Sequence, residues 1–262
     1  MTAQPDYSIL DIPEILQFAF YPRREWTPLP PGAKDYSIPV EPDVSISCRL
    51  YPAGENSPCI LFFHGNGEIV CDYDCIAPAY NRLGISLFVA DYRGYGQSNG
   101  QPAFSTLLSD AHSIFNFFLD IFRSGNRDIP LFIMGRSLGS HSAVELASRY
   151  QEHLKGLIIE SGSGNIIRLF SHMGFPVDRG RLKELEDVAA ARVRSLTLPL
   201  LIIHGEHDDL VPPGEATRLF DTTGSSDKRL VTIPYATHND IIVAGMEQYF
   251  TAIKDFVFPQ GH

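Results

Sequence analysis

The run "MGRSLGS", Met134–Ser140, has the form Gly-x-Ser-x-Gly, and how it is read decides the fold. Such a short motif recurs by accident in roughly one unrelated chain in ten of this size. The chain carries a second match, "GQSNG" at Gly96–Gly100, so Ser137 and Ser98 compete and their surroundings must choose between them.

The 262 residues are 44% hydrophobic and 20% charged, the balance of an ordinary globular protein. A formal net charge of −10 argues against nucleic acid or an anionic membrane as the main partner. The opening "MTAQPDYSIL" has no basic region followed by an apolar stretch, so no signal peptide is expected. No apolar run approaches the roughly 20 residues of a membrane helix, so no integral membrane segment is expected either. Cys48, Cys59, Cys71 and Cys75 crowd into one early segment. Two of them one helical turn apart make a poor zinc site, and idle thiols predict a reducing, cytoplasmic setting with no metal.

Working outward from Met134, the apolar run "PLFIMG" reads as a strand buried on both faces, and "SLGSHSAVELASRY" as the helix after it. Upstream, "VSISCRLYP" alternates like an exposed edge strand and "CILFFHG" is a buried one. "DYDCIAPAYNRLG" reads as a helix, "ISLFVADYRG" as a strand, and "STLLSDAHSIFNFFLDIFRSG" as a helix ended by Gly125. Downstream, "LKGLIIES", "LPLLIIHG" and "RLVTIP" are strands separated by "RLKELEDVAAARV" and "VPPGEATRLF", and "DIIVAGMEQYFTAIKDFVF" closes the chain as a helix. Strands alternating with helices imply right-handed crossovers and a mostly parallel central sheet with helices on both faces. One α/β domain spanning 1–262 is expected, with residues 1–40 as an extension whose "DIPEILQFAF" is a short helix opened by Asp11. Residues 161–196 exceed one crossover helix. Their first half, carrying Ile166, Ile167, Leu169, Phe170, Met173 and Phe175, predicts a small lid insertion over the carboxyl ends of the strands.

Ser137 has a strand before it and a helix after it, the sharp turn that thrusts a nucleophile's oxygen out of a sheet. Ser98 sits among turn formers with Pro102 close behind. Ser137 is therefore the candidate nucleophile. A serine hydroxyl needs a base, and the base an orienting acid. Of nine histidines, His238 in "PYATHND" lies in a late strand-to-helix loop; His64 and His204 each close a buried strand, and His207 borders the acid loop and stays open. "HGEHDDLVP" offers Glu206, Asp208 and Asp209 as acids.

"HGNGE", "DYRGYGQSNG", "GRSLGS", "HGEHDDLVP" and "THND" occur in the order and spacing of the α/β-hydrolase superfamily. Over residues 43–258 the chain most resembles its serine esterase and serine aminopeptidase-like branch with a small lid. The resemblance implies that Asp208 is the acid, with Glu160 at the end of the preceding strand as a rival position. It implies backbone N–H groups of Asn66 and Leu138 as the oxyanion hole, and Asp91 and Arg93 as loop holders. The expected activity is hydrolysis of a small-molecule carboxylic ester or thioester through an acyl-enzyme formed on Ser137, with His238 and Asp208 and no cofactor. An aminopeptidase or small-amide hydrolase is the alternative, and a binding module that has lost catalysis the reading from another class.

Overall fold

The computed structural model describes residues 5–123, 128–165, 167–168 and 174–259. Its sheet has eight strands: β1 (Lys34–Glu41), β2 (Val44–Tyr51), β3 (Cys59–Phe63), β4 (Ser86–Ala90), β5 (Leu131–Arg136), β6 (Gly156–Glu160), β7 (Leu200–Gly205) and β8 (Lys228–Ile233). Their spatial order is β1-β2-β4-β3-β5-β6-β7-β8, with β3 to β8 parallel and β2 antiparallel to both neighbours.

Every residue of β3, β5, β6 and β7 is buried, because helices cover both faces. Alternation along each strand divides the side chains between two cores. Leu61, Phe63, Ile133, Ile159 and Ile202 join one, with Phe115 and Phe118 of α3 (Phe104–Arg123) and Leu146 of α4 (Gly139–Arg149). Ile60, Phe62, Met134, Ile158 and Ile203 join the other, with Tyr80 of α2 (Ala77–Arg82) and Tyr249 and Ile253 of the last helix. Among the described residues, no helix is long and apolar enough to cross a membrane.

Four expectations need correction. "VSISCRLYP" is not an edge: β2 lies between β1 and β4, and Ile46–Tyr51 are buried. The edge is β1, built from the segment assigned to the extension. Pro39, which lacks an N–H, sits beside a register shift there, as proline in a sheet should. "DYDCIAPAYNRLG" splits into a 3₁₀ turn, Val70–Asp74, and the short α2 opened around Pro78. Asp11 does not open α1 (Pro13–Ala19), whose N-cap is Ile12; its carboxylate accepts from the Phe104 N–H at 2.7 Å and caps the distant α3 instead. The closing helix breaks at Gly245 into Ile241–Ala244 and Met246–Val257.

The crossover helix expected in 161–196 is α5, Arg179–Ser195, and α6 is Pro213–Thr222. Of the apolar residues assigned to the lid, Ile167 is buried in the core and Phe175 is half-buried. Ile166, Leu169, Phe170 and Met173 lie outside the described residues, as does the Gly125 expected to end α3.

Candidate active site

Strand β5 ends at Arg136 and α4 begins at Gly139, leaving two residues to reverse the chain. Ser137 takes φ = +50°, a left-handed conformation costly for a residue with a side chain. A Cβ on Gly135 would lie 2.4 Å from Gly139 O, and one on Gly139 would lie 2.0 Å from Phe63 O. The turn closes only with glycine at both places. Its strain is held by the Ser137 N–H, which donates to Glu160 O at 3.0 Å.

The turn brings Ser137 Oγ to 3.0 Å from His238 Nε2, across 101 residues of chain. His238 Nδ1 lies 2.8 Å from Asp208 Oδ2. A carboxylate only accepts, so Nδ1 carries the proton and Nε2 offers its lone pair to the serine hydroxyl. Asp208 Oδ1 accepts from the N–H groups of Leu210 (3.1 Å) and Val211 (2.8 Å). Burial raises the Asp208 pKa, but the hydrogen bonds from His238 and Val211 and the two neighbouring imidazoles outweigh it, and the net shift is downward. It is a carboxylate at neutral pH.

The rival groups are engaged elsewhere. Ser98 is buried and its Oγ accepts from the Ser47 N–H at 2.9 Å. His64 faces Gly65 O and Asp91 Oδ1, and His204 Nε2 donates to Val211 O at 2.8 Å. His207 is exposed, edge-on to Tyr235. Glu160 accepts from Tyr249 Oη at 2.6 Å and Arg136 Nε at 3.1 Å. Asp209 is exposed, and Glu206 Oε2 accepts from the Tyr235 N–H at 3.0 Å. Asp91 accepts from the Val70 N–H and Ser47 Oγ, and Arg93 grips Asp110 with two hydrogen bonds, so both tie loops together.

Asn66 follows β3 and lines the same pocket as Ser137, Leu138 and His238. Its Oδ1 accepts from the Tyr21 N–H at 2.9 Å and Tyr95 Oη at 2.7 Å, so the side-chain oxygen is turned to the N-terminal segment. The pocket encloses about 400 Å³. Its described wall is unexpected: Phe18, Ala19 and Tyr21 supply one part and Leu210 and Val211 another. Phe175, expected in a lid wall, packs against Phe18 with the rings tilted by 57° and their centroids 5.8 Å apart.

Sequence reasoning also missed Arg136. Its guanidinium pairs with Glu68 and Glu160 and donates to His238 O (2.8 Å) and Asn239 Oδ1 (3.0 Å). The signal was present: an arginine ending an otherwise apolar buried strand must find partners.

Comparison with known proteins agrees with this architecture. The chain is 29% identical over 208 residues to protein bem46 of Schizosaccharomyces pombe, covering 78% of this chain and 68% of that one. It is 30% identical over 187 residues to the uncharacterized membrane protein YNL320W of Saccharomyces cerevisiae, covering 70% and 64%. The chain thus spans about two thirds of these relatives' length. Among solved structures, the Pyrococcus furiosus esterase Pf2001 superposes with a TM-score of 0.71 at 17% identity, over 90% of this chain and 98% of that one, which is likeness of fold. The family model described as serine aminopeptidase, S33 matches residues 54–171 and 181–242, and the chain therefore belongs to that family of α/β hydrolases.

Proposed function

We propose that the protein is a serine hydrolase that cleaves a carboxylic ester or thioester through an acyl-enzyme. Ser137 Oγ attacks the acyl carbonyl while His238 Nε2 takes its proton, and Asp208 stabilises the imidazolium that forms. The oxyanion is held by the backbone N–H groups of Leu138 and Asn66. His238 then protonates the departing alcohol or thiol, and water repeats the sequence to release the acid. The observation that carries this reading is the continuous line Ser137 Oγ–His238 Nε2–Nδ1–Asp208, at 3.0 and 2.8 Å, opening into an apolar pocket. A cytoplasmic setting belongs to the same proposal, and four free cysteines suit it.

The family description favours a second reading, an aminopeptidase. Such an enzyme needs a carboxylate to anchor the substrate ammonium. None lines the pocket among the described residues, and the remaining positions of the chain contain no Asp or Glu. The nearby acids are already paired: Glu68 and Glu160 with Arg136, Glu215 with Arg168. The ester reading is therefore preferred.

A fluorophosphonate probe labels only an activated serine and separates either enzyme from a non-catalytic binder. Turnover of p-nitrophenyl esters with no turnover of aminoacyl-nitroanilides is the expected result. Labelling with the reverse preference would make the protein a peptidase.

A further inference from the structure

Eight large apolar side chains are exposed among the described residues, and three of them, Phe18 (47%), Tyr21 (57%) and Leu210 (62%), border the pocket that holds Ser137 and His238. Exposed apolar groups scattered singly need no account, but gathered around one concave site they mark where an apolar ligand is covered. Phe18 and Tyr21 precede residue 54, where the family match begins, and Leu210 lies within it.

The wall is held in place. Ile15 and Ala19 anchor α1 in the core, and Phe18 leans on Phe175. Just beyond α1, the Tyr21 N–H donates to Asn66 Oδ1 and to Tyr95 Oη, both at 2.9 Å. The N-terminal segment is thus tied to the loop that carries the candidate oxyanion donor. The charged group lining the pocket, Arg136, is committed to Glu68, Glu160 and His238 O, which leaves it poorly placed to receive a charged acyl group.

We propose that the segment ending in Phe18 and Tyr21, together with Leu210, forms the acyl-chain site, and that the substrates are esters or thioesters of extended, uncharged aliphatic acids. The proposal rests on Ser137 as the nucleophile. The acyl chain leads from the Ser137 carbonyl adduct along Phe18 and Leu210 towards the open mouth. Because these side chains are about half exposed, each added methylene gains less than the roughly fourfold that full burial would bring.

The test is kcat/KM on p-nitrophenyl acetate, butyrate, octanoate and dodecanoate, below their aggregation concentrations, for the parent, Phe18→Ala, Leu210→Ser, the double variant and Leu29→Ala. Leu29 is equally exposed but borders no part of this pocket. The parent should gain about twofold per methylene up to octanoate. The double variant should lose about tenfold or more on octanoate and less than about threefold on acetate. Leu29→Ala should match the parent. A flat profile in the parent, or equal losses at every chain length in the double variant, overturns the proposal. Leu210→Ser alone carries the test if Phe18→Ala fails to fold, since Leu210 lies in a surface loop. Fluorophosphonate labelling in parallel keeps the two readings apart: a labelled parent with a flat profile refutes the acyl wall alone, whereas an unlabelled parent refutes the nucleophile and the wall with it.

Discussion

Arg136 Nη2 donates to the backbone oxygen of His238 at 2.8 Å, joining residues 102 positions apart. The same guanidinium pairs with Glu68, and Glu68 Oε2 accepts from the Gly65 N–H at 2.7 Å, directly before Asn66. Its Nε pairs with Glu160 at the end of β6. One planar group therefore links the serine turn, the histidine loop and the loop of Asn66. Burial opposes its charge, but the two carboxylates outweigh that and hold it firmly protonated.

A lysine at this place keeps the charge but cannot fork to three loops. Arg136→Lys should lower kcat by about 10- to 100-fold, because the imidazole of His238 loses its fixed position. KM should change by less than about threefold, since the acyl wall is untouched. Steady-state kinetics on a butyrate ester decide it. A loss confined to KM would mean that the arginine contacts substrate instead.

Ser137→Ala should abolish both probe labelling and ester turnover, whereas Ser98→Ala should leave them within about threefold of the parent, as for a serine outside the reacting centre. Ser98 Oγ serves only the β2 side of the sheet, through the Ser47 N–H. Labelling of the two variants side by side is sufficient. An inactive Ser98→Ala with intact folding would reverse the choice between the two motifs.

Much of this was legible because it depends on local rules. The strand–turn–helix context of Ser137 is written in an apolar run, two glycines and a helical repeat; the loop of Asp208 follows the buried β7, and that of His238 follows the partly exposed edge strand β8. What the sequence concealed is set by contacts between distant segments. The alternation of Val44–Tyr51 looks the same whether its outer neighbour is water or β1, and β1 itself is masked by Pro39. Asp11 reads as the cap of the next helix, yet the Phe104 N–H it satisfies lies 93 residues away. Phe18 and Tyr21 look like ordinary members of an aromatic-rich extension until folding sets them beside Ser137.

Asn66 turns its side-chain oxygen to Tyr21 and Tyr95, and in the proposed reaction its backbone N–H is the oxyanion donor. Asn66→Ala should keep acetate-ester turnover within about tenfold, while loss of a true side-chain oxyanion donor costs about 100-fold or more. The untethered Tyr21 should weaken the preference for octanoate over acetate. A 100-fold loss on acetate with an unchanged melting temperature would assign the side chain to the oxyanion.

His141 on α4 is buried beside Tyr7, and burial, with Arg192 adding repulsion and Glu145 opposing it, pushes its pKa down to about 3. Unfolded, it titrates near 6.5, so below that pH the unfolded chain binds a proton that the folded one refuses. Stability should therefore fall as pH drops from 6.5 towards 3, by about 2 kcal/mol at pH 5 from this group. His204, also pushed down by burial, acts with the same sign. Urea midpoints at pH 7 and pH 5 check this: His141→Leu should lose about 2 kcal/mol less than the parent over that interval. An unchanged loss would assign the acid sensitivity to His204.

The last test concerns the acid. Asp208 gives one oxygen to His238 Nδ1 at 2.8 Å and the other to two backbone N–H groups, so neither its charge nor its orientation is free to drift. Glu160, the rival at the end of β6, has burial raising its pKa, and its two oxygens are taken by Arg136 and Tyr249. Exposed Asp209 reaches neither. An asparagine at 208 can present its amide hydrogens to Nδ1, which favours the tautomer with the proton on Nε2, where it can no longer accept from the serine. Asp208→Asn should therefore lower kcat by about 10⁴, while Asp209→Asn and Glu160→Gln stay within about tenfold of the parent. Glu160→Gln should in addition lower the melting temperature, because an amide hydrogen would face the guanidinium of Arg136 or the hydroxyl of Tyr249. Measuring kcat and the melting temperature of the three variants separates the roles: an active Asp208→Asn beside a folded but crippled Glu160→Gln would move the acid to the end of β6.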